Sequence, residues 1–331
     1  MGWYMHRKMT AIFILAFCAA AGFADEAGVA KSPFTVFFPV GYDVIKLDRQ
    51  IVHSPAAGAG FLMGSQDIPF TEVERRFFGL ALYQPFIFRE APDSGLPKLY
   101  HDIGGLFDGR INRHQILCIF QASSNEPVAG GLNTFQIGAG WGYEVIRRQH
   151  VSLILGAVLG VSNFGDMLSV EATVPVLPLP LIRFGIDTRW FASSFDFITG
   201  PNFEFTVAPE SKFRLTGDMR MDEFRSFDDL ICEFALWYRF FGSEHRLGDV
   251  AGIGAGFKND VKDFSLANTE MRAKDFGLLE RSVFAVLDLS ILKIEGGWVF
   301  DSRYLVDGEK SGNPGRGFFI SVQGLIPVIN R

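Results

Sequence analysis

The sequence is poor in the residues that build disulfide frameworks, metal sites and common active sites. Its 331 residues include three cysteines and six histidines. The two cysteines beyond the N-terminal region, Cys118 and Cys232, lie far apart in apolar runs and suggest neither a disulfide framework nor a zinc site. We interpret them as buried or lipid-facing side chains. Because the G-x-S-x-G, H-E-x-x-H and P-loop patterns are also missing, we predict no catalytic residue, no metal and no cofactor.

Positive charge is scarce as well. The chain carries 31 Lys and Arg against 37 Asp and Glu, a formal net charge of −6. Nucleic-acid binding needs a basic footprint for the phosphates, so we expect no nucleic-acid partner.

Long apolar runs are missing beyond residue 24. A membrane-spanning helix needs about 20 apolar residues, and the run around 177–182 is interrupted by Pro175, Pro178 and Pro180. Proline removes a helical hydrogen bond and clashes with the preceding turn. The sequence therefore predicts strands rather than spanning helices.

The one uninterrupted apolar stretch lies at the N-terminus. Arg7 and Lys8 precede an apolar run over 11–23, and Gly22 and Ala24 supply the small residues of a cleavage site before Asp25. This arrangement is typical of a secretory signal peptide. We predict a signal peptide over 1–24 and one β-domain over 25–331.

Phenylalanine and glycine are abundant, with 35 and 36 copies. Apolar side chains recur at every second position, as in Phe135, Ile137, Ala139 and Trp141, which is the period of a strand with two different faces. Such runs are found near 34–42, 57–66, 78–88, 114–122, 135–145, 151–161, 168–176, 182–190, 203–207, 213–221, 230–240, 249–258, 281–290, 292–300 and 318–322. Stretches at 91–98, 123–132, 258–275 and 301–316 are interpreted as loops.

These patterns predict an all-β fold, namely a transmembrane antiparallel up-and-down β-barrel of about 14 strands, with 12 to 16 as the range. A soluble β-protein with a dry core would alternate in the same way. The membrane barrel is favoured by the charged alternate face of 212–222, by the aromatic apolar face and by the alternation of short turns with longer loops. Girdle residues at the membrane interfaces are expected among Trp141, Tyr143, Trp190, Trp237, Tyr238 and Trp298.

The chain resembles bacterial outer-membrane β-barrel proteins as a broad class over residues 25–331. The signal peptide and runs such as FQIGAGWGYEVIRRQHVSLILGAVLGV carry the resemblance. It implies a location in the bacterial outer membrane, contact with outer-membrane lipid and insertion by the barrel-assembly machinery. It leaves the oligomeric state open.

The charged face of the strands is the best functional lead. Nine side chains are predicted to line the lumen: Arg183, Asp187, Arg189, Glu204, Lys212, Arg214, Asp218, Arg220 and Asp222. Charges of both signs in a pore can set ion selectivity. They can equally form a salt-bridge lattice that fills the lumen, and both interpretations stay open.

Two smaller motifs are interpreted structurally. The glycine ladders Gly138-Gly140-Gly142 and Gly252-Gly254-Gly256 open no helix, so they mark inward positions of close approach rather than a dinucleotide site. His150 and Ser152 are spaced as in some lipid-modifying barrel enzymes, but they alternate with the apolar face and are interpreted as a polar pair near a turn.

The leading hypothesis is a non-enzymatic, porin-like channel or transporter for small or apolar solutes. The alternative is a structural or surface-exposed adhesion barrel with a plugged lumen. A lipid-modifying barrel enzyme and a soluble periplasmic β-protein are weaker hypotheses.

Overall fold

The computed structural model describes residues 34–65, 75–92, 95–127, 134–162, 176–197, 201–221, 230–240, 251–267, 275–289 and 291–329. The predicted signal peptide lies outside these residues. The strands are β1 (Phe34–Leu47), β2 (Ile51–Ser65), β3 (Arg75–Phe88), β4 (Leu99–Ile111), β5 (His114–Ser124), β6 (Gln136–Arg148), β7 (Val151–Ser162), β8 (Val176–Asp187), β9 (Phe191–Phe197), β10 (Pro201–Val207), β11 (Phe213–Met221), β12 (Leu230–Arg239), β13 (Gly252–Ser265), β14 (Asp275–Asp288), β15 (Leu292–Val306), β16 (Glu309–Gly312) and β17 (Gly317–Ile329).

The strands form one closed antiparallel barrel. Each strand from β1 to β15 pairs with the next, β15 also pairs with β17, and β17 pairs with β1 to close the ring. The four-residue β16 only extends the β15 hairpin, so the wall has sixteen strands. The predicted class, an up-and-down antiparallel barrel, is confirmed, and the strand number lies at the top of the predicted range rather than at 14.

The sequence patterns missed two strands and shortened several others. The apolar face of β4 is interrupted by Gly105 and Gly109, and that of β9 is interrupted by Ser193, so neither shows clean alternation. The loops predicted at 258–275 and 301–316 begin too early, because β13 continues to Ser265 and β15 to Val306. Both extensions carry charged residues that resemble loop composition. The strand candidate at 168–176 lies almost entirely outside the described residues.

Alternation along each strand separates an outer face from an inner face. In β6 the side chains of Ile137, Ala139, Trp141 and Tyr143 are exposed, whereas Gln136 and Glu144 on the opposite face are buried. The same division runs around the ring and gives the barrel an apolar, aromatic outer surface.

The two ends of the barrel differ in their connections. At one end, which we call the short-turn end, five of the seven connections have five residues or fewer, and both termini of the barrel domain emerge there. At the other, the long-loop end, six of the eight connections have eight residues or more. Outer-membrane barrels have short periplasmic turns and longer extracellular loops, so the long-loop end is assigned to the outside.

Among the described residues, no helix is long and apolar enough to cross a membrane.

Candidate functional site

The lumen is the candidate site, and its long-loop end is filled with aromatic side chains. We call this group the aromatic plug. Its members come from β3, β4, β13, β14 and β15, all are buried, and their rings pack against one another with centroids 4.6 to 6.3 Å apart. They are Phe86, Phe88, Tyr100, Phe264, Phe276 and Tyr304. Packed rings exclude water and gain both burial and ring–ring contact energy, so this part of the lumen is dry.

Opposite walls of the barrel meet at the same end. Strand β13 pairs in parallel with β5 at Ser265 and Ser124, although the two strands lie eight positions apart in either direction around the ring. We call this contact the clasp. The amide of Asn125 holds Ala267 from both sides, donating to its carbonyl over 3.0 Å and accepting from its N–H over 2.7 Å. The Ser123 hydroxyl donates to the Asp263 carbonyl over 3.1 Å.

The clasp divides the lumen at this end. A sixteen-stranded barrel with a circular section encloses an aqueous channel. Here the contact between β5 and β13 flattens the barrel at this end and divides its lumen into two compartments. The plug fills the compartment bounded by β13–β17 and β1–β5. On the other side, Ile231 of β12 packs against Val261 and Leu279 of the β13–β14 hairpin.

The lumen between β4 and β8 is filled as well. Leu117, Ile154, Val158, Leu179 and Leu181 form a second buried apolar cluster, on strands β5, β7 and β8. The ladder glycines of β6 make room for it, because a Cβ on Gly140 would lie 2.6 Å from Val158 and one on Gly142 would lie 2.8 Å from Ile154. The second ladder behaves in the same way, since a Cβ on Gly256 would lie 2.9 Å from Phe284 and 2.1 Å from a backbone oxygen.

An ion-pair bridge crosses the lumen beside this cluster. The Arg183 guanidinium on β8 donates to Asp108 on β4 and to Asp196 on β9, both over 2.7 Å. Asp108 also accepts two hydrogen bonds from the Gln115 amide, over 2.7 and 2.8 Å. Charge-assisted hydrogen bonds of this kind hold strands four positions apart against each other. This part of the barrel matches the salt-bridge lattice interpretation.

A polar cavity of about 270 Å³ remains on the other side of the lumen. It is bounded by β1, β10 to β15 and β17, and it extends from Lys293 near the short-turn end to the apolar side chains of Ile45, Val299 and Phe319, which belong to the cluster that contains the plug. Its remaining polar lining is Asp43, Glu204, Thr206, Thr216, Asp218, Glu233, Lys258, Asp260, Lys262, Glu280, Ser282, Glu295, Ser321 and Gln323.

The charges in this cavity are unequally distributed. Seven carboxylates face three lysines, a formal surplus of four negative charges. All three lysines have carboxylate partners on the β13–β15 side: Lys258 and Lys293 pair with Glu295, and Lys262 pairs with Glu280 and Asp260. The carboxylates beyond these pairs lie mainly on the β10–β12 side, where Glu204, Asp218 and Glu233 face one another in register and the inward-facing Arg214 and Arg220 of β11 flank Asp218.

A hydrogen-bond network in which uncharged donors surround the Asp43 carboxylate completes the cavity wall at β1. Asp43 accepts from the Gln84 amide over 3.0 Å and from the Ser321 hydroxyl over 2.6 Å, and Gln84 also donates to Ser54 over 2.5 Å. All four residues are buried. Buried carboxylates need such donors, because an unsatisfied buried charge is costly.

The structure brings five of the nine predicted lumen charges onto the inner face of the wall. Arg183 forms the ion-pair bridge, and Glu204 and Asp218 line the cavity. Arg214 lies over the Trp237 ring at 5.7 Å, and the buried Arg220 is 3.8 Å from Asp260. Asp187 follows the same face but is exposed where β8 ends. Asp222 lies outside the described residues.

Two predicted lumen charges are corrected. Arg189 lies in the β8–β9 turn, where it is exposed and pairs with Glu210 over 3.3 Å, and Lys212 lies exposed in the β10–β11 turn. The alternation was extended past Asp187 and before Phe213, where the strands end and begin. These two side chains lie at the rim of the short-turn end rather than along the lumen.

Five of the six predicted girdle residues lie on the outside. Trp141, Tyr143 and Tyr238 are exposed toward the short-turn end, Trp190 is exposed in the β8–β9 turn, and Trp298 is exposed on β15. Trp237 is a correction, because it alternates with the exposed Leu236 and Tyr238 and points inward. Its indole donates to the Thr216 hydroxyl over 3.1 Å.

The remaining motifs of the sequence lie in a turn or on the strands of the wall. His150 lies in the β6–β7 turn and donates to the carbonyl of Asp187 over 2.7 Å, and Ser152 lies close to Gly185 on the inner side of the wall. Both Cys118 and Cys232 are free thiols on outward positions of β5 and β12. Among the described residues, no group of three or more His, Cys, Asp or Glu is placed to hold a metal ion.

The residues that sequence reasoning missed are the charges of the β13–β15 side, Asp43 and Glu233 of the cavity, and Asp108 and Asp196 of the ion-pair bridge. Lys258, Asp260 and Lys262 do alternate at period two, but Asn259 and Asp263 occupy the other face, so the segment has the composition of a loop. Glu280 and Glu295 belong to strands that were recognised for their apolar face only. The period-two spacing of the charges alone could have identified Lys258, Asp260 and Lys262 as inward-facing.

The outer surface identifies the environment of the barrel. Large apolar side chains such as Trp141, Leu159, Leu236 and Ile320 are half exposed or more, and exposed apolar side chains are found on nearly every wall strand. A closed antiparallel barrel with this surface and a polar inner face is a transmembrane barrel of the outer-membrane type. The resemblance to that class and the predicted location in the outer membrane are confirmed.

No family model matches the chain, and no curated protein matches it. Among solved structures it is similar to OccK7 (OpdD) of Pseudomonas aeruginosa, with 12% identity, 90% of this chain and 100% of that chain covered, and a TM-score of 0.36. It is also similar to OprD of Pseudomonas aeruginosa, with 8% identity, 90% of this chain and 94% of that chain covered, and a TM-score of 0.39. The third example is OccAB3 of Acinetobacter baumannii, with 9% identity, 91% of this chain and 100% of that chain covered, and a TM-score of 0.37. With TM-scores this low, the assignment of the fold rests on the strand pairing of the chain itself.

Proposed function

We propose that this barrel is a gated outer-membrane channel for small polar solutes, and that the described conformation is its closed state. The observation that carries the proposal is the polar cavity of about 270 Å³ in a lumen that is filled at its long-loop end and between β4 and β8. A barrel that only anchors loops gains nothing from a chamber lined with carboxylates, because moving charged groups out of bulk water opposes folding. The proposal keeps the predicted leader over 1–24 and insertion by the barrel-assembly machinery, and it includes no catalytic step.

The cavity favours polar solutes over apolar ones. Its lining carries seven carboxylates and three lysines, and apolar side chains contribute mainly where it meets the plug. A lumen of this kind attracts and orients charged solutes, which is how charged rings give channels their selectivity.

The clasp is the part of the wall best suited to open. The contacts shown by the described residues include one parallel strand pair and three side-chain hydrogen bonds, whereas the neighbouring strands in the wall are joined by full ladders. Separating β13 from β5, together with Phe264 and Phe276 from the plug rings of β3 and β4, would restore a wider section and give the cavity access to the long-loop end.

Conductance in planar bilayers tests this proposal. We expect rare, brief openings of the unmodified protein and a several-fold higher open fraction for Asn125→Ala, since that change removes both bonds to Ala267. Asn313→Ala is the matched control, because Asn313 accepts only from the nearby Gly315 N–H at the same end of the barrel. Silence from both the unmodified protein and Asn125→Ala would refute the channel.

The aromatic plug favours a second candidate, a barrel with a permanently closed lumen that displays its long loops. Six buried rings form a core as dry as that of a soluble domain. This candidate predicts that Asn125→Ala lowers stability without producing any conductance.

A further inference from the structure

Polar atoms at the cavity without a hydrogen-bond partner among the described residues include Asp218 Oδ1, Glu280 Oε1 and the Ser282 hydroxyl. Ser282 and Glu280 are 1% and 5% exposed, so neither is solvated at the outer surface. Buried polar atoms are nearly always hydrogen-bonded, and exceptions in a cavity point to a bound group. All three residues line the same chamber.

The two carboxylate oxygens can only accept hydrogen bonds when ionised, and the hydroxyl can also accept. A ligand that satisfies them must therefore donate several hydrogen bonds. The protein's own uncharged groups donate only weakly here. The Glu204 carboxylate accepts long hydrogen bonds of 3.4 Å from the Asn202 amide and the Ser194 hydroxyl.

The charges of the cavity also favour a ligand that donates hydrogen bonds. Glu204 and Asp218 stand directly opposite each other on β10 and β11, an arrangement that destabilises a sheet when both are ionised. The lysines of the cavity pair with Glu295, Glu280 and Asp260 on the far side, and the inward-facing arginines of β11 lie over the Trp237 ring (Arg214) and 3.8 Å from Asp260 (Arg220). A cation placed beside Asp218 and Glu204 would offset this repulsion.

We propose that the cavity binds a small organic cation through a primary ammonium group. An ammonium group brings one positive charge and three hydrogen-bond donors, which suits the unpartnered oxygens beside Glu204. The apolar side chains of Ile45, Val299 and Phe319 would contact the hydrocarbon part of the same molecule. This inference rests on the proposed function, since it names the solute class of the same lumen.

Binding of 1,5-diaminopentane to the purified full-length barrel in detergent, measured by calorimetry, tests the site. We expect saturable binding, and we expect pentan-1-ol and pentanoate, which lack the ammonium group, to bind at least roughly tenfold more weakly. Asp218→Asn and Glu204→Gln should each weaken diamine binding by a similar factor. Glu210→Gln is the control, since Glu210 lies in an exposed turn and pairs with Arg189.

The outcomes separate the two proposals. Binding that depends on Asp218 and Glu204, in a protein that never conducts, would sustain the cation site and overturn the channel. Conductance without diamine binding, or binding that the two substitutions leave unchanged, would overturn the cation site and leave the channel standing. Heat-modifiable migration on gels shows that each variant still forms the barrel, and two independent substitutions guard against a folding defect in one.

Discussion

The two sides of the lumen differ in what occupies them: one is filled with side chains, and the other holds a cavity. Near the clasp, and between β4 and β8, the interior is filled with apolar side chains and with carboxylates that accept hydrogen bonds from Arg183 or Gln115. Between β10 and β1 it holds a chamber with a surplus of carboxylates. The wall strands are similar in both regions, so the difference lies in the inward residues alone. The filled side provides apolar packing, and the chamber is the part of the interior that can hold a solute.

The largest effect is expected at the plug. Phe264 is buried and its ring lies 4.6 Å from Tyr100 and 5.1 Å from Phe86, measured between centroids. Phe264→Ala should lower the free energy of unfolding by about 4 kcal/mol, because it leaves a cavity among packed rings. Urea unfolding in detergent followed by tryptophan fluorescence measures this loss. A change below about 1 kcal/mol would mean that the plug is not packed as described.

The next effect concerns the charge lattice of the chamber. Lys262 is buried between Glu280 and Asp260, so Lys262→Met leaves two carboxylates without their ammonium partner. We expect a loss of about 3 kcal/mol in the free energy of unfolding. The double change Lys262→Met with Glu280→Leu should recover a large part of it, since removing both charges is far less costly than removing one. Equal losses in the single and double variants would contradict this pairing.

A smaller effect is expected where β12 and β13 approach each other closely. A Cβ on Gly256 would lie 2.1 Å from the Phe234 carbonyl oxygen, so the β12–β13 ladder must shift in Gly256→Ala. We expect a loss of about 2 kcal/mol. In Gly296→Ala the new Cβ would lie 3.6 Å from its nearest neighbour, the Phe319 carbonyl oxygen, and that variant serves as the control. The same unfolding experiment compares the two, and equal stability would show that the two strands are not in the described register.

The smallest effect is expected at the rim. Arg189 is exposed in a turn, and its ion pair with Glu210 is a surface pair of little energetic weight. Arg189→Ala should change the free energy of unfolding by less than about 0.5 kcal/mol and leave the cation-to-anion permeability ratio unchanged. A clear shift in that ratio would place Arg189 in the conducting path after all.

The sequence predicts the wall of this barrel better than it predicts the interior. Period-two apolar runs locate most strands because one face must contact lipid, as at Trp141 and Tyr143. The inner face obeys no such rule: Lys262 and Phe264 are neighbours on the same face, one in an ion pair and one in the plug. Trp237 shows the same limit, since its partner Thr216 lies 21 residues away. The clasp depends on strands eight positions apart in the ring, a contact that no local pattern encodes.

A reversible cross-link across the clasp tests the central claim most directly. Neighbouring strands lie about 4.8 Å apart, so cysteines replacing Ser124 and Ser265 are close enough to form a disulfide. Cys118 and Cys232 are first replaced by serine, because both are free thiols. We expect the oxidised Ser124→Cys, Ser265→Cys barrel to remain closed in planar bilayers and to conduct once dithiothreitol reduces the bond. Conductance that is the same before and after reduction would contradict the account that this clasp closes the channel.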